Sequence, residues 1–195
     1  MEELNPSIIT KVLPMMFLRG KVLLPNNIAT IDVARVKSLA VIDNAVQNGR
    51  YVFFACQKDR RVELPTLDDV YNVGVVGFIK EIMPINATSK RVVVQVFSRA
   101  KIVALRDGDV PFAEIIETPF VGEEDIECEV LRKFCIDEYK KLLSHQKKRP
   151  ELDFLSNDNV RGHEFVNVAT FGLPLEENKK QEILEADQMV ARLEL

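Results

Sequence analysis

The sequence predicts an α+β fold, a β-rich barrel or folded-over sandwich carrying one helix and followed by a helical bundle. Three observations carry that reading. Before Pro119, β-branched and aromatic residues come in short runs separated by Gly, Asn, Asp and Pro, the pattern of strands and turns. After it, apolar residues recur at helical spacing. A single helical stretch at 34–48 interrupts the early strands, and a short crossover helix inside a sheet built largely of hairpins favours closure into a barrel, which also removes exposed edges. The expected division is a β-rich domain over 1–118 and a helical bundle over 119–195.

The elements follow in order. In the first helix Val36, Leu39, Ala40, Ala45 and Val46 are expected to form the apolar stripe, with Arg35, Lys37, Asp43 and Asn44 facing water and Asn48-Gly49 as the stop. Tyr51-Val-Phe-Phe-Ala-Cys56 reads as a buried strand, followed by an acidic surface turn around Pro65. The clearest hairpin joins 70–85 to 91–103 through Asn86-Ala87-Thr88-Ser89-Lys90. Its return arm alternates Val92, Val94 and Val96 with Val93, Gln95 and Phe97, so a central strand covered on both faces is expected. Pro111-Phe-Ala-Glu-Ile-Ile-Glu117 supplies the last strand.

Ile126, Val130-Leu131, Phe134-Cys135, Tyr139 and Leu142-Leu143 predict a helix over 123–148, with acids early and lysines late to suit its dipole. That stripe is expected to dock on Val160, Phe165, Val166, Ala169 and Phe171 of a second helix and on Ile183-Leu184 of a third. Asp187 reads as the N-cap of a final helix over 188–195. The apolar face of that helix, Met189, Val190 and Leu193, has no visible continuation, so a chain cut from a longer protein is expected.

Composition narrows the function. A chain of 195 residues with 47% hydrophobic and 29% charged residues is globular rather than disordered. It is large enough to bury a core without disulfide or metal staples. A net charge of −4 and a pI near 5.4 argue against a domain built to neutralise phosphate. No basic start with an apolar stretch marks a secretory signal, and the cytoplasm is the expected address.

Catalytic and metal motifs are missing. Cys56, Cys128 and Cys135 form no C-x-x-C pair and read as buried packing residues. Gly74 and Gly77 lie in a strand without a phosphate-loop pattern and read as points of close approach. His145 and His163 lack ligand-spaced partners, and no serine stands in a G-x-S-x-G turn. The acidic runs Asp68-Asp69 and Glu123-Glu124-Asp125 read as turn and helix-start charges, and Lys140-Lys141 and Lys147-Lys148-Arg149 as a solvated helix end.

A series of short motifs occurs in a telling order: Leu13-Pro14, Leu18-Arg19, Val22-Leu23-Leu24-Pro25, Lys37-Ser38, Gln57-Lys58-Asp59, Asp69-Val70-Tyr71-Asn72-Val73-Gly74 and Arg99-Ala100-Lys101-Ile102. Leu173-Pro174-Leu175, a Glu/Lys/Gln-rich helix and Asp187 follow. Together they resemble the amino-terminal domain of the Lon family of ATP-dependent serine proteases. The departures are Phe17, where the family usually has a second proline, and Ile28-Ala29-Thr30-Ile31, which lacks a frequent one.

The resemblance implies a PUA-like β-domain followed by a helical bundle, which helps select unfolded or damaged protein substrates and supports hexamer assembly. It implies no catalytic residue, cofactor or metal in this chain; the ATP and Mg of the parent, and its Ser–Lys dyad, belong beyond Leu195. Pro14, Met16, Leu24 and Pro25 are expected as adaptable apolar substrate contacts, with Arg35 and Lys37 steering acidic segments. Two rival readings are an RNA-binding module, since PUA-like folds often hold RNA, and a passive oligomerisation scaffold.

Overall fold

The computed structural model describes residues 10–144 and 160–195. Six strands, β1 (Thr10–Leu18), β2 (Ile28–Val33), β3 (Tyr51–Cys56), β4 (Val73–Asn86), β5 (Ser89–Arg106) and β6 (Phe112–Glu117), form one sheet in the order β2-β5-β4-β3-β1-β6. β6 also pairs with β5, which closes five strands into a barrel and leaves β2 outside the ring. Strand β1 serves two neighbours: residues 10–14 run antiparallel to β6, and residues 15–18 run parallel to β3. Pro14, which has no N–H to give, stands at the change of partner.

Strands β1, β3, β4 and β5 send side chains to two cores, and β6 to one of them. Met15, Phe17, Phe53, Ala55, Val76, Ala100, Ala113 and Ile115 gather in one cluster drawn from all five barrel strands. Their neighbours Met16, Leu18, Val52, Phe54, Cys56 and Val75 belong to a second cluster, covered by β2, the segment 22–24 and helix α1 (Val36–Gln47). Burial on both faces explains why 52–56 is apolar without alternation.

Helix α1 is rotated from its expected phase. Val41, Ile42 and Ala45 face the sheet, whereas Val36 is 84% exposed. The docking surface sits mainly under the second and third turns, and the first turn contributes only the partly buried Leu39. The stop is as expected, with Gly49 at φ +91°.

The β4–β5 hairpin turns at Ala87-Thr88. Its ladder slips between Val76 and Gly77, which pair with Ser98 and Val96, so Phe97 is the extra residue of a bulge. The expectation of a strand covered on both faces is therefore corrected: Val93 and Gln95 are half-buried, and Phe97 is 47% exposed. Similar slips leave Lys80, Ile85 and Val103 unpaired, and all three are exposed.

Helices α2 (Ile126–Ser144), α3 (Gly162–Gly172), α4 (Glu177–Glu185) and α5 (Met189–Glu194) follow. The helical reading beyond residue 144, with His145 and Lys147-Lys148-Arg149, lies outside the described residues. Cys128, Ile136 and Tyr139 of α2 pack with Phe165, Val166, Ala169, Ile183 and Met189. The predicted stripe is corrected here too, because Ile126, Val130, Phe134 and Leu142 face outward. Leu184 and Phe171 join the barrel-side cluster instead of the bundle.

Two arginines join the helices to the barrel. Arg99 of β5, 2% exposed, donates to the carbonyls of Thr118, Pro119, Leu184, Glu185 and Ala186 and to the Asp187 carboxylate at 2.6 Å. Asp187 is thus spent on Arg99, and the residue preceding α5 is Gln188, with no side-chain cap. Arg192 of α5, equally buried, donates to Asn167 Oδ1 at 2.7 Å and to the Ile183 carbonyl, and lies 3.6 Å over the Phe120 ring. Burial, with Arg99 nearby, lowers its pKa to about 9, which still leaves it charged at neutral pH. Arg99 lies 4.4 Å from the same ring.

This packing generates three stability predictions. A Cβ on Gly74 would overlap the Phe54 carbonyl oxygen and come within 2.6 Å of the Phe53 ring. Gly74→Ala should therefore cost ~1–3 kcal/mol or more in urea denaturation. Arg99→Met leaves five carbonyls without their donor and should cost ~3–5 kcal/mol. Burial pushes the Asp187 pKa up, but the bond and charge of Arg99, with Lys101, outweigh it and hold the group below 3.8. A carboxyl depressed in the folded state contributes stability above its unfolded pKa and loses it as pH falls through the folded value. Asp187→Asn should accordingly lessen the fall in stability below about pH 4, measured by thermal denaturation across pH.

Candidate functional site

Two surface features stand out. The first is an open cleft of about 580 Å³ between β1 and β2, walled by Met16, Phe17 and Leu18 on one side and Thr30 to Val33 on the other. It exists because residues 15–18 of β1 pair with β3 only, and β2 pairs with β5 only. The two unpaired strand edges flank a gap, and the start of α1, through Ala34, Arg35 and Ser38, closes one end.

The cleft is cationic. Arg19, Lys21, Arg35 and Arg91 line it against a single acid, Asp32. Asp32 is held by Arg91 through two bonds, at 2.7 and 2.9 Å, which lowers the acid's pKa and raises that of the arginine. The other three cations meet only neutral oxygens among the described residues. Lys21 Nζ donates to the Thr30 carbonyl, and Arg35 Nη2 to the Phe17 carbonyl at 2.6 Å. Arg19 donates to the Val62 carbonyl, and both arginines reach Gln57 Oε1, at 3.4 and 3.3 Å. Gln57 is itself buried and fixed by donating to Val62 and Asp59 carbonyls. Burial, followed by repulsion from Arg19, lowers the pKa of Arg35; burial lowers that of Lys21 against the pull of Asp32.

The second feature is an exposed aromatic patch. Tyr51, Phe78 and Gln95 stand directly across from one another on β3, β4 and β5. Tyr51 meets Phe78 edge-on at 5.3 Å and lies 6.4 Å from Phe97, which the bulge turns outward. Exposed Ile28, paired with Gln95, extends the patch on β2.

The six expected contact residues divide. Pro14, Met16, Leu24 and Pro25 are buried, Met16 and Leu24 within the core under α1, so they present little or no apolar surface to solvent. Met16 forms part of the cleft floor, and Pro25 borders a smaller hollow beside Phe97 and Phe120. Arg35 lies in the cleft, whereas Lys37 lies outside it and pairs with Asp107 at 3.0 Å. Sequence reasoning missed Arg19, Lys21 and Arg91 as its neighbours. Arg19 and Lys21 flank Gly20, at φ +62°, and that turn was the available signal. Tyr51 and Phe97 carry no signal in the sequence beyond that of strand residues.

Cys56 and Cys128 are buried, Cys135 is partly so, and burial pushes all three thiols up. His163 Nδ1 lies 2.6 Å from Glu123 Oε2. Among the described residues no group of three His, Cys, Asp or Glu is placed to hold a metal ion, and no helix is long and apolar enough to cross a membrane.

A small closed barrel with helices locked to it is the fold of a solved amino-terminal protease domain, that of the Mycobacterium avium complex Lon protease, with a TM-score of 0.80 and 21% identity over 94% of this chain and 95% of that one. The Lon N-terminal domain protein of Xanthomonas campestris matches at a TM-score of 0.65 and 16% identity, over 94% and 95%. The family model of the ATP-dependent protease La (LON) substrate-binding domain matches residues 12–195, and the chain belongs to that family. It is 32% identical over 189 residues to the Lon protease of Clostridium acetobutylicum, covering 94% of this chain and 24% of that protein. It is 30% identical over 186 residues to that of Desulforamulus reducens, covering 94% and 23%. The chain thus spans about a quarter of the length of these relatives.

Proposed function

We propose that this chain is the non-catalytic recognition region of an ATP-dependent Lon protease, one that engages unfolded or damaged protein and presents it to motor and protease modules encoded elsewhere in the parent. Membership of the substrate-binding family supports the role. The observation that carries the physical reading is the solvent-facing patch of Tyr51, Phe78, Phe97 and Ile28. Folded proteins keep most aromatic and aliphatic side chains inside, so an apolar surface discriminates clients by how much of their core is exposed. Aromatic contacts give that surface area at little cost in side-chain entropy.

The six residues singled out in the sequence take different parts in this reading. Arg35 contributes charge beside the patch-bearing sheet, and Lys37 flanks the cleft. Pro14, Met16, Leu24 and Pro25 hold the strands in place behind the surface.

Assembly of the parent into a hexamer is the finer part of the proposal. The outward row Ile126, Val130 and Phe134 on α2 supports it, being exposed apolar residues four apart on neighbouring turns of the helix. Several arms on one assembly allow each to bind weakly, since multivalent display raises avidity roughly 10²–10⁴-fold.

The isolated chain should bind an unfolded client in roughly the micromolar to millimolar range. An NMR titration with the unfolded and the folded form of one protein checks this. Shifts for Tyr51, Phe78 and Phe97 are expected with the unfolded form alone, and Phe97→Ser should weaken binding by about tenfold while leaving the melting temperature within a few degrees. Equal shifts with both forms would end the reading.

A further inference from the structure

We propose that the cleft between β1 and β2 takes an acidic, extended segment of a client chain, laid along the free edge of β2 with a carboxylate held between Lys21 and Arg35. The proposal rests on the reading of this chain as a client-binding region and names what one of its surfaces selects.

Charge is the first argument. Four cations and one acid line the cleft, and that acid is already engaged by Arg91. Among the described residues Arg19, Lys21 and Arg35 hydrogen-bond only to neutral oxygens, and Asp32, already bonded to Arg91, is the one acid acting on Lys21. A single lysine on an edge strand is explained as protection against unwanted pairing. An excess of cations around one gap, two of them oriented by the same buried Gln57, makes a preformed receptor for a carboxylate. The first turn of α1 adds to the field, having no acidic residue and no side-chain cap at its open end.

Backbone geometry supplies the second argument. Lys21 reaches the Thr30 carbonyl, which therefore points away from β5 and into the cleft. Val96 donates to the Asn27 carbonyl, fixing the alternate set of β2 residues as the ones bonded to β5. The N–H and C=O groups of Ile28, Thr30 and Asp32 accordingly face the gap. An extended chain can add to such an edge, its main chain giving affinity and its alternate side chains giving selectivity. When a carboxylate draws Lys21 away, the Thr30 carbonyl is freed for a backbone N–H of the incoming segment, so the exchange leaves no polar group stranded. Acidic residues two apart in that segment fall on one side, about 7 Å from each other.

The test uses the full 195-residue chain and three labelled twelve-residue peptides: alternating Glu and Thr, its Gln and Thr counterpart, and a Glu peptide with proline at every other position. Fluorescence anisotropy at low salt should show the Glu–Thr peptide binding on the order of tenfold tighter than the Gln–Thr one. The ratio should fall toward one at about 0.5 M salt and in Lys21→Gln, and persist in Lys133→Gln, whose lysine lies on α2. The proline peptide, equally charged but with half of its backbone N–H groups removed and φ fixed at every proline, should bind as weakly as the Gln–Thr peptide. Amide shifts should centre on Thr30 and Asp32. Equal binding of the Glu–Thr and Gln–Thr peptides, or equal binding of the proline peptide, overturns the proposal. Should Lys21→Gln not fold, the salt series and the proline peptide on the unaltered chain decide it. Should the peptides overturn the cleft proposal, acid-free unfolded clients that still bind in a manner sensitive to Phe97→Ser leave the functional reading standing; if they do not bind either, that reading has failed with it.

Discussion

The buried guanidinium of Arg99 is the contact around which the two parts of the molecule are arranged. A charge placed at 2% exposure is costly unless its donors are all used, and here they go to five main-chain carbonyls and one carboxylate. Three of those carbonyls end α4, where helix geometry leaves oxygens without partners and where a positive charge suits the dipole. One side chain from a barrel strand thereby caps a helix, holds the start of the connection at Thr118 and Pro119, and positions Asp187 ahead of α5. Arg192 works the same joint from the helical side through Phe120 and Asn167. Asn167 in turn bonds Asn26 and receives Asn27, so the turn leading into β2 is tied to α3.

That fixed joint determines what the barrel shows to solvent. With the helices held against one side, the edge of β2 and the unpaired stretch of β1 stay open on another, and the cleft between them collects cations from the 19–21 turn, from α1 and from β5. The ring closes through β5 and β6 rather than through β2, which is why a free edge survives in a barrel at all. Gln57, from the Gln-Lys-Asp motif, bridges Arg19 and Arg35, so a motif read first as sequence likeness has a structural task at the cleft. The aromatic patch has a different origin: cross-strand register sets Tyr51 opposite Phe78, and a bulge turns Phe97 toward them.

Much of this was legible in advance. The apolar run of β3, the β4–β5 hairpin, the closing strand β6, the crossover helix and the close approach at Gly74 and Gly77 all come from local chemistry: β-branched runs, turn residues, and strand positions with no room for a Cβ. Ordered short motifs pointed to the family because each marks a place where the backbone or a buried polar group is constrained. The candidate contacts fared differently. Met16 and Leu24 look the same in sequence whether they face solvent or core, and the second core under α1 is what takes them in.

What the chain determined by itself is therefore the set of elements, their order and the residues able to fill a core, since these depend on periods and turn preferences a few residues long. The tertiary structure alone decided the phase of α1 and α2, the outward turn of Phe97, the engagement of Asp187 by Arg99 and the gathering of Arg19, Lys21, Arg35 and Arg91. Each of those depends on contacts between residues far apart in the chain. A bulge shifts an alternation by one residue, and a helix packs whichever face meets its support, so neither can be read from spacing within the element.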